Sequence, residues 1–247
     1  MRSDSDLGNY RFGAGVIPVS WVAEQFFCEL KLEYMLKLGQ AETEEMREGV
    51  EVHEEVLEME EASADELMQL IKSRGDFIAS FPLVGSVNNL LLVGVPDAIY
   101  FKKGNPIYVI ELKTTRGILR IWRDQVIQAM LYGLLLEEMG FNTKELKLLI
   151  LKLRLDGGIS EGDRRSLIDN LIDYAEKNKL QELEERLNRR ARVYVIKYSR
   201  YEALEAVKWA SGYWLMQRDA VSTKKPGKCR ACEFSSACPR SLVLPSP

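Results

Sequence analysis

The sequence predicts an α/β fold in which helices flank a central mixed sheet, and three observations predict it. Short apolar runs rich in β-branched and aromatic residues, at 90–101, 107–112, 146–155 and 192–198, read as strands. Longer stretches with apolar residues at helical spacing stand before, between and after these runs. With 247 residues and 46% apolar content, the chain can bury a substantial core without requiring a second fold. The expected organisation is a single domain over 1–247, with a helical part at 18–75, a core at 76–200 and a C-terminal helix with a cysteine cluster at 201–247.

Charge and hydropathy narrow the function classes. No apolar run is long enough to span a bilayer, and the start, MRSDSDLGNY, lacks the basic-then-apolar pattern of a secretory signal, so a cytoplasmic protein without membrane attachment is expected. A formal net charge of −3 excludes an overall basic coat; nucleic-acid binding would need a local patch. Two candidates are Arg116, Arg120 and Arg123, and Lys224, Lys225, Lys228 and Arg230, each of which alone also reads as solvated surface charge.

Taken in order, Ser20 opens a helix, WVAEQFFCELKLEYMLKLG, that carries Cys28 and ends at a glycine. A second helix, from Glu42 to Glu60, spreads its glutamates around Met46, Val50, Leu57 and Met59 as a solvated face. Gly49 and His53 stand four apart on it, so the glycine permits close approach while His53, the only histidine, reaches outward as a structural residue or a ligand. Ser63 and Glu66 form a capping box for a third helix ending near Arg74-Gly75.

The stretch from Gly94 to Tyr132 organises the rest. Runs at Leu90–Phe101 and Ile107–Leu112 flank Lys103-Gly104-Asn105-Pro106, which predicts a hairpin with Asp97 in its first arm. Glu111 and Lys113 in the second arm share a face because strand side chains alternate. Acids in an apolar strand are costly unless a cation compensates them, so this grouping points to a hard divalent metal such as magnesium or manganese; the alternative is a solvent-facing Glu-x-Lys beside an unrelated turn aspartate. Ile118 to Met139 then reads as an amphipathic helix closed by Gly140, with Trp122, Val126, Ala129, Met130, Gly133 and Leu134 toward the sheet and Gln128 and Tyr132 sharing a face. Arg116, Arg120 and Arg123 are expected along one side of this helix, guiding a strand past the metal, with Tyr132 available to stack on a base or buried as a core residue.

Leu146–Leu155 and Arg192–Tyr198 are strands. Between them, 163–190 is helical in pattern and about half charged, which predicts an exposed excursion with one apolar stripe, Leu167, Ile168, Leu171, Ile172, Leu180, Leu183 and Leu187. Tyr201 to Arg218 is the last helix. Beyond it Cys229, Cys232 and Cys238 crowd the segment CRACEFSSACPR, while Cys28 stands alone. Three thiols in one short turn-rich segment favour a shared metal over disulfides, with Cys28 as fourth ligand. Zinc and an iron–sulfur cluster both accept four thiolates, and the asymmetric spacing with a terminal Cys-Pro leans toward iron–sulfur.

Gly49-x-x-x-His53, Gly94-Val-Pro-Asp97, Glu111-Leu-Lys113 and Gln128-x-x-x-Tyr132, in that order and bracketed by one early and three late cysteines, resemble the RecB-like nucleases of the PD-(D/E)xK superfamily. Among these the sequence is most similar to the CRISPR-associated Cas-four family of iron–sulfur exonucleases, over Pro18 to Pro239. The resemblance implies a RecB-like nuclease core with a four-cysteine iron–sulfur region. It implies that His53, Asp97, Glu111 and the backbone carbonyl of Leu112 hold Mn2+ or Mg2+, that Lys113 holds the nucleophile, and that Gln128 and Tyr132 orient substrate. Cys28, Cys229, Cys232 and Cys238 would bind the cluster, 4Fe-4S favoured over 2Fe-2S. The implied activity is trimming of single-stranded DNA ends during CRISPR adaptation, with the CRISPR integrase complex as partner. The alternatives are a host repair nuclease unconnected with CRISPR and an iron–sulfur DNA-binding scaffold with an idle centre. The 163–190 stretch is longer than small family members need, which leaves oligomeric state open.

Overall fold

Alternating apolar side chains make the main sheet apolar on both faces, so it must be covered twice. The computed structural model describes residues 10–39, 44–57, 64–73, 75–155, 162–163 and 166–243. Within them the chain runs β1 (Ile17–Pro18), α1 (Val19–Leu38), α2 (Glu44–Val56), α3 (Ala64–Ser73), β2 (Phe77–Ala79), β3 (Leu83–Val87), β4 (Leu90–Gly94), β5 (Ala98–Lys102) and β6 (Asn105–Thr115). It continues through α4 (Arg123–Glu138), β7 (Lys147–Arg154), α5 (Leu167–Glu176), α6 (Leu180–Arg186), β8 (Ala191–Lys197), α7 (Arg200–Trp214) and α8 (Pro226–Arg230). Five strands form a mixed sheet in the order β2-β5-β6-β7-β8, in which β6 and β7 are parallel and joined through α4. A smaller sheet has the order β1-β4-β3. Among the described residues no helix is long and apolar enough to cross a membrane.

One face of the main sheet carries Ile99, Phe101, Val109, Leu148 and Ile150 and is covered by α4, against which α1 and α7 pack in turn. The other carries Tyr100, Tyr108, Ile110, Leu112, Leu149 and Leu151 and is covered by α2, α5 and α6. Each fully buried leucine contributes about 2 kcal/mol through removal of apolar surface from water. Helix α4 lies between the two sheets and is buried all round, every residue from Ala129 to Leu136 included. It is a central helix rather than an amphipathic one.

Four expectations change. The run 90–101 is not one hairpin arm: it breaks at Val95–Asp97, leaving β4 in the small sheet and β5 in the main one. The hairpin itself is present, turning at Lys103 (φ 53°) and Gly104 (φ 77°), both in the left-handed conformation that a two-residue hairpin turn requires. Helix α4 starts only at Arg123, so Arg116 and Arg120 are not on it and the three arginines do not form one helical row. The preceding segment is held in a non-helical path by Tyr194 Oη, which donates to the Leu119 carbonyl at 2.6 Å, and Trp122, 45% exposed, does not face the sheet. The described residues of 163–190 are not an exposed excursion: Leu167, Leu171, Leu183 and Leu187 are buried against the sheet, so α5 and α6 form part of its second covering layer. Ser63 of the expected capping box, Met59 and Arg74 lie outside the described residues.

Candidate active site and cysteine cavity

The strand pairing itself builds the site. Because β5 begins at Ala98, paired with Ile110, the edge of β6 beyond that pair has no neighbouring strand. Asp97 takes its place: Leu112 N–H donates to Asp97 Oδ2 at 2.6 Å. Helix α2, seated on the sheet by Val52 and Val56, brings His53 to the same edge, with Nδ1 3.8 Å from Asp97 Oδ1. Glu111 and Lys113 continue the row begun by Val109, so both turn toward α4, and Lys113 Nζ stands 2.8 Å from Glu111 Oε2. The same ammonium donates to Gln128 Oε1 at 3.0 Å, and Gln128 Nε2 donates to Tyr132 Oη at 3.1 Å. His53, Asp97, Glu111, Leu112, Lys113, Gln128 and Tyr132 are thus brought together from four separate segments of chain.

Burial sets the electrostatics. Glu111 is 1% exposed, and burial, with Asp97 adding and Lys113 opposing, pushes its pKa up to about 7. Asp97 is likewise raised by burial, against the pull of Lys113 and the Leu112 N–H. Burial, then Lys113, holds the His53 ring below the ordinary imidazole value, leaving it neutral with a lone pair to offer. For Lys113, burial opposes the charge, but Glu111 and Asp97 outweigh it and raise the pKa.

Two fully buried glutamates show what is special here. Glu29, 0% exposed, accepts from both terminal nitrogens of Arg218 at 2.6 and 2.7 Å, from Val221 N–H at 2.7 Å and from Gln25 Nε2 at 2.8 Å. Glu111 is buried as deeply, yet its one near polar contact is Lys113 Nζ, 2.8 Å from Oε2 but poorly aligned, and Oε1 has no hydrogen-bond partner among the described residues. A carboxylate buried in that state is costly unless a cation completes it. Two carboxylates, a neutral imidazole and the Leu112 carbonyl fit a hard divalent ion. Among the described residues, no three histidine, cysteine or carboxylate groups are already drawn around one point as a bound ion would draw them.

Tyr132 is not placed to stack on a base. It is 4% exposed, and Gly94 makes room for it: a Cβ there would lie 2.8 Å from Tyr132 Cε1. Only its hydroxyl reaches the site, through Gln128. Asp124, beside Lys113, and Glu24, beside Lys31, were not singled out from sequence. The charge of Asp124 raises the pKa of Lys113, and Glu24 pairs with Lys31 at 3.0 Å. A lone acid within the apolar run WVAEQFF was the available signal for Glu24.

A second constellation lies between α1 and the C-terminal segment. Cys28, Cys229, Cys232 and Cys238 are all free thiols and line one cavity with Lys31, Tyr34 and Phe234. Helix α1 is interrupted at Cys28, whose extended backbone (φ −168°, ψ 120°) releases carbonyls from the helical ladder. Lys228 Nζ takes those of Phe26 and Phe27 at 2.6 and 3.0 Å, which ties the C-terminal segment to the break. Thr223 N–H donates to Cys28 Sγ at 3.4 Å, and burial raises the Cys232 thiol pKa.

The family described as the PD-(D/E)XK nuclease superfamily matches residues 18–239 of the chain. No curated protein matches it. Among solved structures, "Crystal structure of SSO0001" is similar, with 17% identity, a TM-score of 0.48 and coverage of 92% of this chain and 88% of that one.

Proposed function

We propose, for a chain that belongs to the PD-(D/E)XK nuclease superfamily, that it hydrolyses phosphodiester bonds as a metal-dependent exonuclease trimming single-stranded DNA ends. Nucleases of this superfamily generally use a divalent metal such as magnesium or manganese. The observation that carries the reading is Glu111: a fully buried carboxylate without an aligned hydrogen bond, beside Asp97 and Lys113. His53, Asp97, Glu111 and the Leu112 carbonyl would hold the ion. When bound, it would polarise the scissile phosphate and acidify a water. Lys113, fixed by Glu111 and Gln128, orients the attacking oxygen and offsets charge that develops on the phosphate. Gln128, bonded to Tyr132, fixes the ammonium in turn.

The four cysteines lining one cavity have the donor set and the number for an iron–sulfur cluster, 4Fe-4S favoured, whose place would be structural, clasping α1 to the C-terminal segment. Trimming of new spacers beside the CRISPR integrase is the specific role that the ordered motifs and cysteine bracket support. The deciding experiment incubates end-labelled linear single strands and closed single-stranded circles with the protein and manganese. Shortening of linear strands with circles intact is expected, and Asp97→Ala and Glu111→Ala should abolish it. Equal cleavage of circles would overturn the end dependence, and cleavage by the Glu111→Ala protein would overturn the assigned centre.

A further inference from the structure

An open groove runs between α1, α4, α7 and the segment 221–228; it shares Cys28 with the cysteine cavity but contains none of the residues assigned to the metal centre. Its walls differ in chemistry. Arg123, Lys224 and Lys225 supply cations from the start of α4 and from the 221–228 segment, while α7 contributes Tyr201 and Trp209 together with the acids Glu202 and Glu205. Tyr201 is 73% exposed and Trp209 37%, so both present aromatic surface to the groove. The floor is a ladder of rings and guanidinium groups: Arg123 lies over Phe26 at 5.2 Å, Phe26 meets Trp209 at 4.7 Å, and Arg218 lies beneath Trp209 at 4.6 Å. These contacts pack against Trp209 and still leave part of its surface open. Arg123, which lines the groove, precedes Asp124 in the chain, and the charge of Asp124 acts on Lys113.

We propose that this groove binds single-stranded DNA, with bases stacked on Tyr201 and Trp209 and phosphates along Arg123, Lys224 and Lys225. Stacking on aromatic faces together with a basic strip is the general recipe for sequence-tolerant single-strand binding. Tyr201 and Trp209 are eight residues apart on α7, about 12 Å along the axis, which matches three to four stacked-base spacings of ~3.4 Å. Cations on one wall and Glu202 and Glu205 on the other favour one phosphate backbone; the second backbone of a duplex would face the acids. The choice of DNA as the polymer rests on the nuclease reading, whereas the location and single-strandedness of the path rest on the groove alone.

The test is fluorescence anisotropy of a labelled oligo-dT 20-mer with the full chain in EDTA, so that binding is read without cleavage. Tyr201→Ala combined with Trp209→Ala should weaken binding at least tenfold with an unchanged salt slope. Lys224→Glu combined with Lys225→Glu should also weaken it, and should flatten the slope of log K against log salt by about 1.4, at ~0.7 per single-strand phosphate. The single variant Tyr201→Ala, at a side chain too exposed to affect folding, should give part of the loss. Unchanged affinity in both double variants, or equal affinity for a duplex of the same length, would overturn the proposal. Binding that depends on these residues in a protein that cleaves nothing with manganese would sink the nuclease reading and leave the groove standing; cleavage with an unaltered Michaelis constant in the groove variants would do the reverse.

Discussion

Lys113 and Glu111 depend on each other through a 2.8 Å ion pair in which only Lys113 has a second, well-aligned partner, Gln128. Lys113→Ala removes the counterion of a buried carboxylate, so in EDTA it should destabilise the chain by about 3 kcal/mol in urea unfolding. Manganese should restore most of that loss, binding at least as tightly as in the parent while cleavage falls about a hundredfold or more. Retention of near-full cleavage would show that the ammonium is a structural counterion only. Glu111 gives the pH dependence. Its pKa is about 7 in the fold against 4.5 ordinarily, so the metal-free folded chain keeps this proton longer than the unfolded chain. The resulting stability is complete below about pH 4.5 and is lost as pH rises through about 7. Metal binding runs the other way, because the ion competes with the proton, and affinity for manganese should fall as pH drops below about 7. Calorimetric titration at pH 6, 7 and 8, with melting in EDTA at pH 5 and 8, checks both signs; Glu111→Gln should reduce both dependences to what Asp97 and His53 contribute.

At the scale of elements, two connections carry unusual weight. Glu29 on α1 gathers Arg218 and Val221 from the segment after α7, joining residues 189 and 192 positions apart. Arg218→Ala would strand a buried carboxylate and should cost about 3–5 kcal/mol by chemical denaturation, whereas Glu29→Gln, which keeps the shape and removes the charge, should soften the effect of the same arginine change. A loss below about 1 kcal/mol would mean that water reaches Glu29. Helices α5 and α6 pose the other question. Leu171 is 0% exposed beneath them, so Leu171→Ala should cost about 2–5 kcal/mol; an exposed excursion would give less than about 0.5 kcal/mol. Urea unfolding separates the two.

For the whole molecule, the cysteine cavity closes the chain on itself. Cys28 belongs to α1 and Cys229, Cys232 and Cys238 to the C-terminal segment, so a shared cluster would restrain nearly the full length of the unfolded chain, a benefit that grows only logarithmically with loop length. Protein purified without oxygen should be brown, with broad absorbance near ~400 nm that vanishes when any one of the four cysteines is replaced. Cys28→Ala should in addition lower the melting temperature, since it opens the clasp between α1 and α8. One zinc per chain with no iron would assign the cavity to zinc, and an unchanged melting temperature would remove the clasp.

What the sequence determined by itself was what local periodicity and spacing encode. Alternation placed Glu111 and Lys113 on one strand face, Gly104 marked the hairpin turn, and i,i+4 spacing set Gln128 beside Tyr132. Motif order singled out His53, Asp97 and Glu111 together. Tertiary structure decided burial and strand partnership, which depend on residues far away in the chain. The run 90–101 is continuous in hydropathy, yet it divides between two sheets because β1 pairs with β4 and β2 with β5. The half-charged stretch 163–190 reads as solvated until the second face of the sheet requires a cover, and its single stripe of leucines provides one. Tyr132 looks equally able to stack or to pack; the space left by Gly94 sends it into the core. Glu29 and Glu111 are the same residue type in similar apolar surroundings, and only the arrival of Arg218 from 189 residues away satisfies the one and leaves the other open to a cation.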